Sequence, residues 1–587
     1  MRATDSIVDL LREHASRRGE ETSFVFLANG ETEHGRISFL QLERRVQAVA
    51  NLLVQRGLRG ERVALLFQPG LDFIAAFFGC LAAGAVAVPV SPPRHPDECN
   101  HATGIVHAAG AQLILADAAT AAYLGTRLQR AWQCTVPLEV LAWLAEPQEV
   151  ARRADAAPLH TPRADDVAFL QFTSGSTGDP KGVVVTHSNI LANQRAIQTG
   201  FRHGADTVVL GWLPFYHDMG LVGVVMQPVY LGRPCILMPP PMFVQKPLRW
   251  LKAISRYGVT TSGGPNFGYE LCLNAISDAD LDACPDLDLR SWTLAFTGAE
   301  PVRASTLENF GKRFARIGFD ARAFYPCYGL AEATLMLTGV ERSRPRIDRL
   351  DAAALRQGRA IEAANGAAMS VVSCGRVWGD ELVVVVDTVT RLPVPECTVG
   401  EIWASGPSVA RGYWNHPQAT AEQFEATSPA YPGRRFLRTG DLGFMRDGEL
   451  FITGRLKELI IVNGRNYFPQ DIEATVSGMH PAFRPIAAVF ADDELDERRI
   501  VLLQAVYPNL ANRIDWADVA QQVVRKVIEA HGLRLSEVFF TTSRLPVTTS
   551  GKIRRRACRD AWRAGLLDPA EGSAARREME NSKGVES

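Results

Sequence analysis

Ten consecutive residues, Thr173-Ser174-Gly175-Ser176-Thr177-Gly178-Asp179-Pro180-Lys181-Gly182, combine hydroxyls, small side chains and a single cation. That mixture suits a loop that wraps phosphate oxygens. Glycine lets the backbone approach closely, while hydroxyls, N–H groups and Lys181 supply donors and positive charge. Apolar residues 167–172 lead into the loop and Val183-Val184-Val185 leads out, so it joins two β sequences and does not read as a flexible Ser/Gly linker. The spacing G-x-x-x-x-G-K-[ST] of a Walker loop is absent. No G-x-G-x-x-G opens a βαβ unit either, which leaves a nicotinamide dehydrogenase the weakest reading.

Further blocks rich in chemistry follow in order: Gly298-Ala299-Glu300-Pro301, Tyr328-Gly329-Leu330-Ala331-Glu332-Ala333-Thr334, Arg438-Thr439-Gly440-Asp441, Gly454-Arg455-Leu456-Lys457-Glu458 and Ser550-Gly551-Lys552. The ordered set resembles the adenylate-forming superfamily of acyl-CoA synthetases, luciferases and peptide-synthetase adenylation domains. That resemblance implies ATP and Mg²⁺, and in-line attack of a carboxylate oxygen on the α-phosphorus with loss of pyrophosphate. Positioning and charge neutralisation do most of the work in such a step. It further implies that Thr173, Ser174, Gly175, Ser176, Thr177 and Lys181 hold the phosphates. Gly298, Ala299, Glu300, Tyr328 and Gly329 belong to the nucleotide pocket, with Tyr328 against adenine. Asp441 accepts from the ribose hydroxyls, Arg455 stands near the ribose, and Lys457 matches the hinge of a mobile lid. Glu332 binds Mg²⁺, a hard cation that favours carboxylate oxygen. Lys552, at the tip of the lid, meets the carboxylate and α-phosphate where negative charge gathers. Taken singly, the same residues have plainer readings: a helix-start carboxylate for Glu332, core packing for Tyr328, a turn Asp for Asp441, a solvated Lys for Lys552.

Local features are similar to the fatty acyl-AMP ligase branch: Trp212-Leu213-Pro214-Phe215-Tyr216-His217-Asp218-Met219-Gly220-Leu221, Gly264-Pro265-Asn266-Phe267-Gly268-Tyr269, Ala331-Glu332-Ala333-Thr334 and Val372-Ser373-Cys374-Gly375. The branch implies transfer of the acyl group to the phosphopantetheine thiol of an acyl carrier protein, in polyketide, nonribosomal peptide or lipid biosynthesis. No carrier motif occurs in the chain, so the carrier is expected in trans. His217 would stand beside the substrate carboxylate, its tautomer fixed by Asp218. The branch also carries an inserted segment associated with poor use of free CoA, and residues 341–370, charged and then Ala-rich, match its place. A fatty acyl-CoA synthetase is the alternative, and a non-catalytic acyl-adenylate or nucleotide-binding protein the second. The basic run Arg554-Arg555-Arg556 has two readings, a docking surface for an acidic carrier or an ordinary solvated face.

These residues need a frame to hold them. At 587 residues the chain exceeds one compact core. Short apolar runs alternate with helix-length segments up to about residue 455, the pattern of mostly parallel sheets covered on both faces. Strands are expected at 63–67, 113–115, 208–213, 235–238, 259–262, 293–296 and 382–386. The fold class is therefore α/β: a large N-terminal domain (1–455, with the insertion at 341–370), a small α+β lid (456–565) and a frayed tail (566–587). In the lid, strands are expected at 486–490, 500–506 and 538–541, and a helix over 515–532 ends at Gly532. Lys+Arg 63 against Asp+Glu 64 excludes a basic nucleic-acid binder, so no nucleic-acid partner is expected. The longest apolar run, 73–88, is too short to span a bilayer, so no stable membrane insertion is expected. Ten cysteines without a C-x-x-C pair, behind a charged N-terminus unlike a signal peptide, fit a cytoplasmic protein.

Overall fold

A computed structural model of the chain describes residues 5–155, 161–173, 180–342, 344–364, 368–462, 465–492, 499–511, 514–548 and 552–570. Two sheets organise the larger part. In the six-stranded sheet, Leu138–Val140, Leu113–Ala116, Arg62–Leu66, Val86–Pro89 and Val167–Thr173 run parallel, and Lys181–Thr186 closes the edge antiparallel. Side chains of one strand alternate between faces. Val63 and Leu65 enter the main core while Ala64 and Leu66 join a second cluster on the opposite face, so the sheet is buried on both sides. That is why these strands read as continuous apolar runs.

The nine-stranded sheet has a parallel centre made by Thr22–Phe26, Cys235–Leu237, Val209–Gly211, Thr261–Gly264, Leu294–Thr297 and Phe324–Gly329, with antiparallel strands at its edges. One strand lies two residues later than the expected 259–262. Gly263 and Gly264 look like terminators in the sequence, but both are buried in the strand. A Cβ at Gly263 would lie 2.0 Å from the Phe296 carbonyl oxygen, so glycine here admits a close neighbour.

Within the expected insertion, the described residues include a pair of strands. Ile347–Asp351 pairs antiparallel with Ala368–Val372, bracketing the short helix Ala352–Arg356. Leu350 and Leu355 pack on the stacked rings of Phe444 and Phe451. Its dense charges pair among themselves and with the neighbouring hairpin: Arg346 with Asp348 and Asp447, Arg446 with Asp348 and Glu362.

Beyond the single 3-10 turn Leu456–Glu458, a smaller unit builds its own cores. The strands Phe483–Asp492, Arg499–Val506 and Glu537–Thr541 form a three-stranded sheet. The helix Trp516–His531 lays Val519, Val523 and Val527 on it, capped by Asp515 and ended by Gly532 in the left-handed region. The chain stays packed further than the expected tail start at 566. Leu567 and Ala570 are buried, and the Ala570 N–H donates to the Phe540 carbonyl at 2.9 Å. Residues 571–587 of that tail lie outside the described residues. Among the described residues no helix is long and apolar enough to cross a membrane.

Candidate active site

Three of the chemistry-bearing blocks stand at the C-terminal ends of parallel strands, the edge where open α/β sheets bind ligands. Gly298-Ala299 follows Leu294–Thr297, Tyr328-Gly329 ends Phe324–Gly329, and Thr173 ends Val167–Thr173. Between these ends and the small unit lies a cleft of about 1560 Å³. Thr173, Lys181, His217, Ala299, Glu300, Tyr328, Gly329, Glu332, Asp441, Arg455 and Lys552 all line it. Gly298 does not line the cleft. A Cβ there would lie 2.7 Å from the Cys327 carbonyl oxygen, so packing admits only glycine. Ser174, Gly175, Ser176 and Thr177 lie outside the described residues, as do Ser550 and Gly551. On either side of residues 174–177, Thr173 pairs directly with Lys181 and Phe172 with Gly182.

Asp441 is the best-held carboxylate. It sits on Leu437–Arg446 and is 6% exposed, with Oδ2 accepting from the Tyr328 hydroxyl (2.8 Å) and Oδ1 from Arg455 Nε (3.0 Å). The neighbouring Thr439 hydroxyl accepts the Asp441 N–H at 3.1 Å and donates to the Ile402 carbonyl at 2.7 Å, which locks the turn. Tyr328, placed against adenine by resemblance, is itself buried and spends its hydroxyl on Asp441. Ala299 takes a left-handed φ of 66°, a conformation that costs a non-glycine residue strain and recurs at functional sites.

Glu332 lies on the 3-10 turn Ala331–Ala333 and accepts a 2.7 Å hydrogen bond from the Tyr413 hydroxyl. Burial raises its carboxyl above the usual range, partly offset by that bond. Lys181 Nζ stands 5.2 Å from the centre of the same Tyr413 ring, so one aromatic side chain links the loop's cation to the carboxylate. Nothing in the sequence marked Tyr413. It belongs to no block of charged or hydroxyl residues, and only the fold brings it here.

His217 and Asp218 introduce a π-helix, Met219–Met226, a widened turn frequent at functional sites. His217 Nδ1 lies 2.6 Å from Asp218 Oδ1, which holds the ring and leaves Nε2 as its open nitrogen. Burial acts to raise the Asp218 carboxyl, but His217, and Lys552 facing it, together hold it below its ordinary value. Glu300 reaches across to the helix Asn266–Ala275, accepting the Phe267 N–H at 2.7 Å, and burial raises its carboxyl.

Lys552 enters this array from the small unit. Two hydrogen bonds to Thr548 fix its backbone: the Thr548 N–H donates to the Lys552 carbonyl (2.7 Å) and the Lys552 N–H to the Thr548 hydroxyl (3.0 Å). Burial and the nearby Arg455 lower the affinity of its ammonium for the proton, while Asp218, Glu300 and Asp441 act to keep it charged. The lid cation thus meets the carboxylates of the body inside the cleft. The expected basic patch is corrected in one member. Arg555 is largely buried and bonded to Glu458 and to Glu473 (2.7 Å), so its charge is spent within the small unit, whereas Arg554 and Arg556 are exposed.

Comparison with known proteins follows this geometry. The AMP-binding enzyme model matches residues 11–414, and a Disco-interacting protein 2-like AMP domain matches 457–571. The chain belongs to the AMP-binding enzyme family. Over 95% of its length it is 37% identical to a medium-chain-fatty-acid–[acyl-carrier-protein] ligase of Teredinibacter turnerae, covering 93% of that protein. It is 35% identical to a long-chain-fatty-acid–AMP ligase of Mycobacterium marinum, covering 96% of this chain and 98% of the other. Among solved structures, a fatty acyl-adenylate ligase from Legionella pneumophila, in complex with acyl adenylate and pyrophosphate, shares 37% identity at a TM-score of 0.73, over 95% of this chain and 96% of that one. The motif reading, an adenylate-forming ligase on the fatty acyl-AMP branch, agrees with this membership.

Proposed function

We propose that this chain activates a fatty acid with ATP, forming an acyl-adenylate and pyrophosphate, and then passes the acyl group to the phosphopantetheine thiol of a separate acyl carrier protein. One observation carries the reading: Lys552 of the small unit stands in the cleft among Asp218, Glu300, Asp441 and Arg455. A nucleotide-binding protein has no need of a cation delivered from a second unit to the reacting end. Beside that charged end the cleft has an apolar arm, the setting an acyl chain asks for. The relatives' names, ligases of fatty acids to AMP or to a carrier protein, support the same substrate and acceptor.

In this reading residues 1–455 form the body and 456–565 the lid, which turns about Lys457 between the two half-reactions. Lys181, the loop hydroxyls and Lys552 neutralise the phosphates, Asp441 holds the ribose, and His217 Nε2 orients the attacking carboxylate. Glu332 fits Mg²⁺, which takes one or two carboxylates together with substrate phosphates and keeps several waters. Bound there, the ion neutralises phosphate charge. The compartment is the cytoplasm, where the carrier and ATP are found together.

The test is fatty-acid-dependent pyrophosphate release. Lys552→Ala lowers it by about 100-fold or more, the scale of losing one preorganised charge-stabilising group. The same variant transfers a preformed acyl-adenylate to the carrier at nearly the wild-type rate. Undiminished pyrophosphate release in Lys552→Ala would contradict the assignment.

A further inference from the structure

The π-helix Met219–Met226 is apolar throughout and packed between the sheets. Seven of its eight residues are buried; Gly223 is the exception, and its exposed surface lies on the cleft wall. Two glycines in this helix have opposite reasons for being there. A Cβ on Gly220 would lie 2.1 Å from the Pro214 carbonyl oxygen, so packing forbids any side chain. A Cβ on Gly223 would meet only the tip of Leu335, at 3.2 Å, and its φ is not in the left-handed region. Helix interiors favour other residues over glycine. Only the end of one flexible side chain, which must give by a few tenths of an ångström, opposes a Cβ at 223, no backbone geometry asks for glycine, and the position borders the cleft.

That border has a direction. Met219 and Gly223 are four residues apart and so share a face of the helix, with His217 and Asp218 at its start. The reacting end, marked by His217, Asp218 and Lys552, therefore lies at one end of this face and Gly223 about a turn deeper. Ile197, Phe201, Phe296 and Leu335, all apolar, line the same cleft, with the tip of Leu335 nearest Gly223. Phe201 packs against Phe296 (ring centres 6.1 Å apart) and edge-on to Tyr325 (4.7 Å), an aromatic group fixed in the core.

We propose that Gly223 determines how long an acyl chain the enzyme accepts, by leaving open the wall of the apolar arm one helical turn beyond the reacting carboxylate. The inference rests on the fatty-acid reading of the cleft. A side chain at 223 stands in the path of the distal methylenes and leaves a short acid untouched.

The experiment measures kcat/KM for pyrophosphate release with saturated fatty acids from short to long chain, for the wild type, Gly223→Ala and Gly223→Leu. Thermal melting with and without ATP monitors the fold and the nucleotide site. In Gly223→Leu, kcat/KM for the longest acids the wild type uses falls by about ten-fold or more, the scale of a misfit of one methylene in an apolar pocket. Short acids and the ATP-dependent rise in melting temperature are unchanged, and Gly223→Ala lies between. An unchanged chain-length profile, or an equal loss at every length, would overturn the inference. Should Gly223→Leu not fold, Gly223→Ala decides alone: a loss confined to the longest acids supports the assignment and an unchanged profile overturns it. A wild type that releases no pyrophosphate with any fatty acid overturns the fatty-acid reading and this inference with it, an outcome distinct from an active wild type with an unaltered variant profile.

Discussion

Lys552 and Glu300 depend on each other electrostatically. Burial and Arg455 favour a neutral Lys552, and the carboxylates facing it, Glu300 among them, oppose that. If Lys552 must be protonated to meet the phosphate, removing a negative neighbour lowers its proton affinity and activity is lost at a lower pH. Glu300→Gln therefore moves the alkaline limb of the pH profile for pyrophosphate release to lower pH, with the acidic limb in place. An alkaline limb that stays put would detach Glu300 from Lys552. At this scale the sequence was readable where residue type and chemistry coincide: Asp441, Glu332 and Lys552 stand in ordered blocks and all reach the cleft. It was silent where a role exists only through contact. Tyr413 holds Glu332 and underlies Lys181, and a lone tyrosine carries no mark of that. Gly298, in a site block, also has a packing reason to be glycine, the close Cys327 carbonyl.

Elements were legible where a strand is buried on both faces or a helix carries both caps, as in Leu382–Val386 and Trp516–His531. They were misjudged where one residue type has two meanings. The strand expected at 259–262 runs on through Gly263, a close-approach position, and Arg555, read with its neighbours as a docking or a solvated face, is an internal tie. The side chains of Arg555 and Glu473 are 14% and 11% exposed, and Arg555 also reaches Glu458 on the connecting turn Leu456–Glu458. Removing one partner of such a buried group strands the opposite charges. Arg555→Ala is thus expected to destabilise the small unit by about 3–5 kcal/mol, whereas Arg554→Glu on the exposed side changes stability by no more than about 0.5 kcal/mol. Urea unfolding followed by hydrogen exchange in residues 460–570 separates the two. Equal stabilities would return Arg555 to the surface. The charged run at 341–349 has the same lesson. Its arginines and aspartates pair with one another and with the Phe444–Phe451 hairpin, which composition alone does not reveal.

At the scale of the whole molecule, two sheets present the ends of their strands to one cleft, and the small unit lines it as well, with Lys552 among the cations it contributes. The division of labour follows from that arrangement. In the proposed reading, positions on the larger part hold nucleotide and acyl chain, and the small unit brings Lys552 to the phosphate. The α/β class was evident from alternating apolar runs and helices. The acceptor, a carrier protein with free CoA as the alternative, was legible through the resemblance of ordered motifs and not through composition or periodicity, because the acceptor touches the molecule only after adenylation.

The most direct measurement is therefore a mass-spectrometric product assay with ATP, Mg²⁺ and fatty acids of graded length, offering free CoA and a phosphopantetheinylated carrier protein in parallel. The account predicts pyrophosphate and acyl-adenylate in every fatty-acid reaction, conversion of the adenylate to acyl-carrier when the protein is present, and its accumulation when only CoA is offered. Efficient acyl-CoA formation with no acyl-carrier product would contradict it.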